Sequence, residues 1–214
     1  MCTRFRTVAD LERLLEEYGI TSRVNYEYNP NVAPTETVPI IRTSKSEGKK
    51  ITLARFGLVP PWSKTAKPIP PMVNARADTI AKKPAFKQGF EERRCIIPVE
   101  GFYEWTGDKG DKKPWFIHHK EHKILSLAGI WDYAEIENEK IFSFAIITTD
   151  PNSVTEALHD RTPVIIEDKD GWLKKGGREF LHRPPEHLLD IRPVNPAVNK
   201  VTVKDIDLIE PAVA

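Results

Sequence analysis

Ile124-Leu125-Ser126-Leu127-Ala128-Gly129-Ile130-Trp131 and Ile141-Phe142-Ser143-Phe144-Ala145-Ile146-Ile147-Thr148-Thr149 are short, apolar and rich in β-branched side chains. Runs of that length and composition read as strands rather than helices. Working outward, the same texture recurs in Val38 to Thr43, Ile51 to Phe56, Cys95 to Val99 and Trp115 to His119. Six or more strands imply a sheet-dominated core. Nearer the start, Thr7-Val8-Ala9-Asp10 resembles a capping box, and Val8, Leu11, Leu14, Leu15 and Tyr18 keep helical spacing until Gly19 supplies a stop. Ser153 to Leu158 and Asp170 to Lys175 read as short helices. The expected fold is α+β: a single domain over residues 1–214, with mainly antiparallel sheets in a barrel-like or sandwich core and a few short flanking helices. Most of the 18 prolines fall between these elements, notably Pro60-Pro61, Pro68 to Pro71 and Pro184-Pro185, where fixed φ and missing N–H groups shape loops.

A chain of 214 residues, 40% of them hydrophobic, is long enough for a sizeable core. Its 32 basic residues nearly cancel 31 acidic ones, so no global positive field draws it onto nucleic acid. Any DNA contact must come from a local patch. No apolar run approaches the roughly 20 residues that span a bilayer, and Met1-Cys2-Thr3-Arg4-Phe5-Arg6 lacks the order of a signal peptide. A cytoplasmic protein that begins at its true start, with both cysteines reduced, is expected.

Position changes the chemistry of Cys2. Methionine aminopeptidase tolerates a small second residue, so loss of Met1 would leave a 1,2-aminothiol. An α-amine has a reference pKa near ~8 against ~10.4 for lysine, which makes its free-base fraction at neutral pH far larger. Such an amine forms a Schiff base with an aldehyde, and the adjacent thiol can close on the imine carbon to give a thiazolidine. Taken alone, though, Cys2 is only a small second residue.

Its company points further. The chain contains, in order, Met1-Cys2-Thr3-Arg4-Phe5, Tyr28-Asn29-Pro30-Asn31-Val32-Ala33-Pro34, Phe56-Gly57-Leu58-Val59-Pro60-Pro61-Trp62, Asn74-Ala75-Arg76-Ala77-Asp78-Thr79, Arg93-Arg94-Cys95-Ile96-Ile97-Pro98, Gly101-Phe102-Tyr103-Glu104-Trp105, Ala128-Gly129-Ile130-Trp131 and His159-Asp160-Arg161-Thr162-Pro163-Val164-Ile165. This ordered set, over residues 1 to about 199, closely resembles the SRAP family (SOS-response-associated peptidase), whose members shield abasic sites by DNA-protein crosslinking.

The resemblance implies that Cys2 is the crosslinking residue, with Asn74, Glu104 and His159 as the polar groups around it. It implies Arg76 and Arg161 as phosphate contacts and Trp105 as a stacking surface for a neighbouring base; Arg4 is close enough in sequence to join them. Each role is chemically sound. A carboxylate can take the proton of an amine before attack, a histidine can donate to the opened sugar, and an asparagine can orient the amine without titrating. Guanidinium forks grip phosphate, and base stacking tolerates any base. On their own, Glu104 would pass for a solvated strand end, His159 for a helix C-cap, and Asn74 for an ordinary loop residue.

The implied partner is single-stranded DNA bearing an abasic site, bound by a monomer without metal, cofactor or membrane, and nucleoid-associated once crosslinked. Slow reversal and weak lyase activity are compatible with the same imine. Two alternatives stand beside this one: a cysteine-type peptidase or autoprocessing enzyme using Cys2, and a non-covalent single-strand binder with Cys2 incidental. His118, His119 and His122 do not read as a metal site, because neighbours on a strand face opposite ways. Cys95 reads as a buried small hydrophobe and Trp131 as core, while Trp62 is open to either core or groove. The chain departs from the family's usual pattern at Thr3, Phe56, Asp78 and Thr162, where glycine, tryptophan, glutamate and methionine are the rule. Thr3 matters most, since its side chain stands beside the reacting residue.

Overall fold

The computed structural model describes residues 2–44, 46, 48–65, 71–108, 110–204 and 207–210. Met1, whose removal is expected, and the prolines at 68–70 lie outside them. Among the described residues the strands are β1 (Phe5–Thr7), β2 (Thr37–Ser44), β3 (Gly48–Phe56), β4 (Asn74–Arg76), β5 (Arg94–Thr106), β6 (Lys113–His119), β7 (Leu125–Ile136), β8 (Glu139–Thr149), β9 (Thr162–Pro163) and β10 (Leu189–Pro193). The α-helices are α1 (Leu11–Tyr18), α2 (Pro84–Glu92) and α3 (Lys169–Lys174).

Antiparallel pairings β5–β2, β2–β3, β8–β7 and β7–β5, joined by the parallel pair β3–β8, close a five-stranded barrel. Closure leaves those strands no free edge for another chain to pair with. β5 is the axis of the molecule. Its first half faces β7 in the barrel, while its second half turns outward to pair with β6, which β10 extends. β1 lies along β5 as well, with an irregularity between Arg6 and Thr7.

Three apolar clusters follow from this layout. The barrel interior gathers Phe5, Phe56, Ile97, Phe102, Phe144 and the fully buried Cys2. A second layer lies between barrel and helices, including Leu14, Tyr18, Phe90, Ile130 and Trp172. The third, Tyr103, Phe116, Val194, Val198 and Leu208, seals the outer face of β5 and β6 under the C-terminal segment. Gly129 shows how tightly the barrel is filled: a Cβ there would lie 2.9 Å from Cys95 Sγ and closer still to Ile97 Cδ1.

All six expected strands are present, and α3 matches the helix expected after Asp170. Other expectations change. The cap of α1 is Asp10, whose side chain accepts from Arg13 N, and Gly19 closes the helix in the left-handed conformation. Thr7 belongs instead to β1, where its backbone N–H and its hydroxyl both donate to Asn29 O while its Oγ1 accepts from Asn29 N. Residues 153–158 form turns rather than a helix; Asn152 Oδ1 accepts from both Thr155 N and Thr155 Oγ1. α2 carries no side-chain cap and has Gly89 near its centre, so its sequence signal was weak. A Cβ at Gly89 would stand 3.2 Å from Ile130, so the glycine lets the helix approach β7 closely. Trp131 is partly buried, packed against the barrel cluster at its margin with Arg42 over its ring at 4.7 Å, and Trp62 is exposed.

Candidate functional site

Four segments far apart in sequence meet at one mouth of the barrel. Cys2 precedes β1, Asn74 opens β4, Glu104 lies within the outer half of β5, and His159 follows the 153–158 turns. Asn74 Nδ2 donates to Cys2 O at 3.0 Å, which pins the N-terminal backbone to β4. Asn74 Oδ1 is buried and has no hydrogen-bond partner among the described residues, so an acceptor stands ready beside Cys2.

Glu104 is buried, not the solvated strand end that its sequence context suggests. Its register partner across the ladder is Trp115 of β6, on the same face of the sheet. Burial raises the Glu104 pKa, against the pull of the amino-terminal charge. Burial also drives the Cys2 thiol far above its ordinary range, with the Glu104 charge adding to the effect. Thiol and carboxylate therefore sense each other electrostatically, and the thiol is held neutral.

His159 is half-buried, and burial lowers its pKa, with the amino-terminal charge acting the same way and Asp160 opposing both. Its Nδ1 accepts from Arg161 N at 3.0 Å, which places the proton of the neutral ring on Nε2. Once the ring is protonated, Nδ1 faces Asp160 Oδ1 at 2.7 Å.

Glu104 and His159 open onto a cavity of about 800 Å³ whose other walls include Thr3, Arg4, Trp105 and Asn199. The side chain of Thr3 thus sits in the wall, where glycine would leave more room. Trp105 is held from two sides: its Nε1 donates to Asn199 Oδ1 at 2.6 Å, and the Arg4 guanidinium lies 5.6 Å from its ring centroid. Arg4 is itself buried and committed, donating to Asn31 Oδ1 and to Val198 O at 2.7 Å. Asn31 donates onward to the carbonyls of Val198, Lys200 and Val203, so it ties the C-terminal segment to the site. Arg4 is therefore a support under Trp105 more than a free cation.

The two remaining arginines differ in kind. Arg76 is half-exposed and forms a two-point pair with Asp78, at 3.1 and 2.8 Å. Arg161 is buried, donating to Asp150 Oδ1 and Thr148 O, each at 2.6 Å. It lines a smaller cavity of about 280 Å³ with Ala77, Asp78 and Arg178. Of the other departures, Phe56 stacks on Phe144 at 5.2 Å inside the barrel and Thr162 is buried, so both concern packing. Asn31, Lys112 and Asn199 carry no chemical signature in sequence and emerge only from the fold.

Away from this mouth, Cys95 is buried, and Trp172 Nε1 donates to its carbonyl at 2.9 Å. His118 and His119 point to opposite faces of β6: His118 stacks against Phe116 and His122, whereas His119 Nδ1 accepts from Glu121 N.

Residues 1–201 match the family described as SOS response associated peptidase (SRAP). The abasic site processing protein YoqW of Bacillus subtilis (strain 168) is 37% identical over 180 residues, covering 81% of this chain and 80% of that relative. The abasic site processing protein HMCES of Xenopus tropicalis is 26% identical over 213 residues, covering 81% of this chain and 63% of its own length. Among solved structures, a Bacteroides thetaiotaomicron protein superposes with a TM-score of 0.87 at 28% identity, covering 99% of this chain and 100% of the other. A Bordetella bronchiseptica protein, at 23% identity and a TM-score of 0.81 over 91% of this chain and 100% of its own, shares the fold. This chain belongs to the SOS response associated peptidase (SRAP) family.

Proposed function

We propose that this protein processes abasic sites in single-stranded DNA by bonding Cys2, freed of Met1, to the aldehyde of the lesion. The observation that carries this reading is the anchoring of Cys2 by Asn74 beside a buried carboxylate whose charge bears on the Cys2 thiol. The names of the relatives support the choice of lesion.

The chemistry runs amine first. The Cys2 nitrogen adds to C1′ of the ring-opened sugar, and loss of water leaves an imine. The thiol sulfur then adds to the imine carbon while its proton passes to nitrogen, closing a thiazolidine; aldehyde and aminothiol yield the ring and one water. A thiol held neutral by burial is a poor initial nucleophile, which favours this order. It also disfavours a peptidase mechanism, which needs the thiolate at the outset. Glu104, its pKa raised by burial, can take a proton from the amine and return one to the departing oxygen. His159 can offer its Nε2 proton to the opened sugar, and Asn74 Oδ1 can accept from the Cys2 amine.

Mixing the protein with an abasic single-stranded oligonucleotide, then separating under denaturing heat, tests the reading. Wild type should give a heat-stable shifted band, and Cys2→Ser, which keeps the amine, should give one only after borohydride reduction traps the imine. No wild-type band, or an equally stable unreduced band from Cys2→Ala, overturns the proposal.

A further inference from the structure

The cavity at Glu104 and His159 shares a wall with a second groove of about 650 Å³. Gly110, Lys112 and Asn199 line both, and beyond them the second groove is bounded by Lys113, Trp115, Pro193 and Pro196. Trp115 stands directly across the β5–β6 ladder from Glu104, one strand away, where strands lie about 4.8 Å apart. Its indole is half-buried and pre-oriented by Nε1 donating to Thr106 Oγ1 at 2.9 Å. Lys112 and Lys113 are exposed, and neither forms an ion pair with a described residue; Asp111 is the acidic group in the same lining.

We propose that this groove is a second subsite for the same DNA strand, receiving an unpaired nucleotide that flanks the lesion, with Trp115 as stacking surface and Lys112 and Lys113 on the backbone. The inference rests on the abasic-site reading of the neighbouring cavity. A fixed aromatic beside unpaired cations, in an open groove continuous with the lesion cavity, matches what a single strand requires: a π-face that any base can use and positive charge along the phosphates. The chain's near-neutral net charge makes such local placement necessary, since no global field would hold the strand. Asn199, bonded to Trp105 on one side and to Lys112 O on the other, forms the step between the two subsites.

The test uses the full chain and abasic oligonucleotides carrying either one or several nucleotides on the 5′ side, and a matching pair varied on the 3′ side. Wild type should crosslink faster when one particular flank is long. Trp115→Ala and Lys113→Ala should each remove at least about fivefold of that gain and leave the short-flank rate unchanged. Trp115→Phe should restore most of it. Equal wild-type rates on long and short flanks, or variants matching wild type on the long one, overturn the proposal. Anisotropy with an undamaged labelled strand separates the two readings. If wild type fails to crosslink but the variants still lose affinity, the lesion chemistry fails and the groove stands; unchanged affinity removes the groove. The surface lysine variant serves if Trp115→Ala fails to fold.

Discussion

Trp105 and Asn199, ninety-four positions apart, are locked together: the indole Nε1 donates to the asparagine Oδ1 at 2.6 Å while the same asparagine reaches Lys112 O at 3.2 Å. The bond helps to set the plane of the Trp105 indole in the wall of the cavity at Glu104 and His159. Asn199→Ala should leave that ring to rotate. One hydrogen bond is worth about 0.5–1.5 kcal/mol, so binding of a non-reactive abasic-analogue strand should weaken by up to about tenfold. Anisotropy titration checks this, and because Asn199 is exposed, the melting temperature should barely move.

Glu104 titrates at the expense of stability. Its pKa in the folded chain is raised above the ordinary 4.5, so the folded state favours the protonated form. Its contribution is favourable at low pH and is lost as pH rises above 4.5 through the raised value. Glu104→Gln should therefore melt higher than wild type at neutral pH, by a few degrees if the gain is about 1 kcal/mol. The difference should vanish near pH 4. Crosslinking should meanwhile slow by about 100-fold, the scale of a lost general acid-base. A variant that melts no higher than wild type at neutral pH contradicts the burial argument.

Arg76 and Arg161 should separate cleanly. Arg161 serves the fold, holding Thr148 O from within, so Arg161→Ala should lower stability by roughly 1.5–3 kcal/mol, read by denaturant unfolding. Among the described residues Arg76 pairs with Asp78, at the surface, so Arg76→Ala should leave stability within about 0.5 kcal/mol of wild type. If it contacts phosphate, the slope of log affinity against log salt should fall by about 1. A larger stability loss from Arg76→Ala than from Arg161→Ala would reverse these assignments.

The strands of the barrel were legible because their signal is local: continuous apolar, β-branched runs in Thr37–Ser44 or Glu139–Thr149 state a preference that packing then confirms. The reach of β5 was not. Cys95 to Val99 is visible as a strand, but its continuation through Glu104 to Thr106 depends on β6 and β1 pairing beside it. The helical reading of residues 153–158 was close: Asn152 Oδ1 accepts from Thr155 N as an N-cap would, but the segment closes only as turns, the last from His159 N to Thr155 O. α2 went unseen because it has no side-chain cap and carries a glycine within its nine residues.

The sequence by itself determined the β-rich fold class, the family resemblance and the presence of an amine and a thiol on one residue at Cys2. Only the tertiary structure decided that Glu104 is buried, that Arg4 and Arg161 are braces, and that Asn31 and Asn199 hold the C-terminal segment against the cavity. The physical reason is range. Strand preference and side-chain chemistry are properties of neighbouring residues, whereas desolvation, a raised carboxyl pKa and a fixed indole plane arise from groups that meet only when the barrel closes.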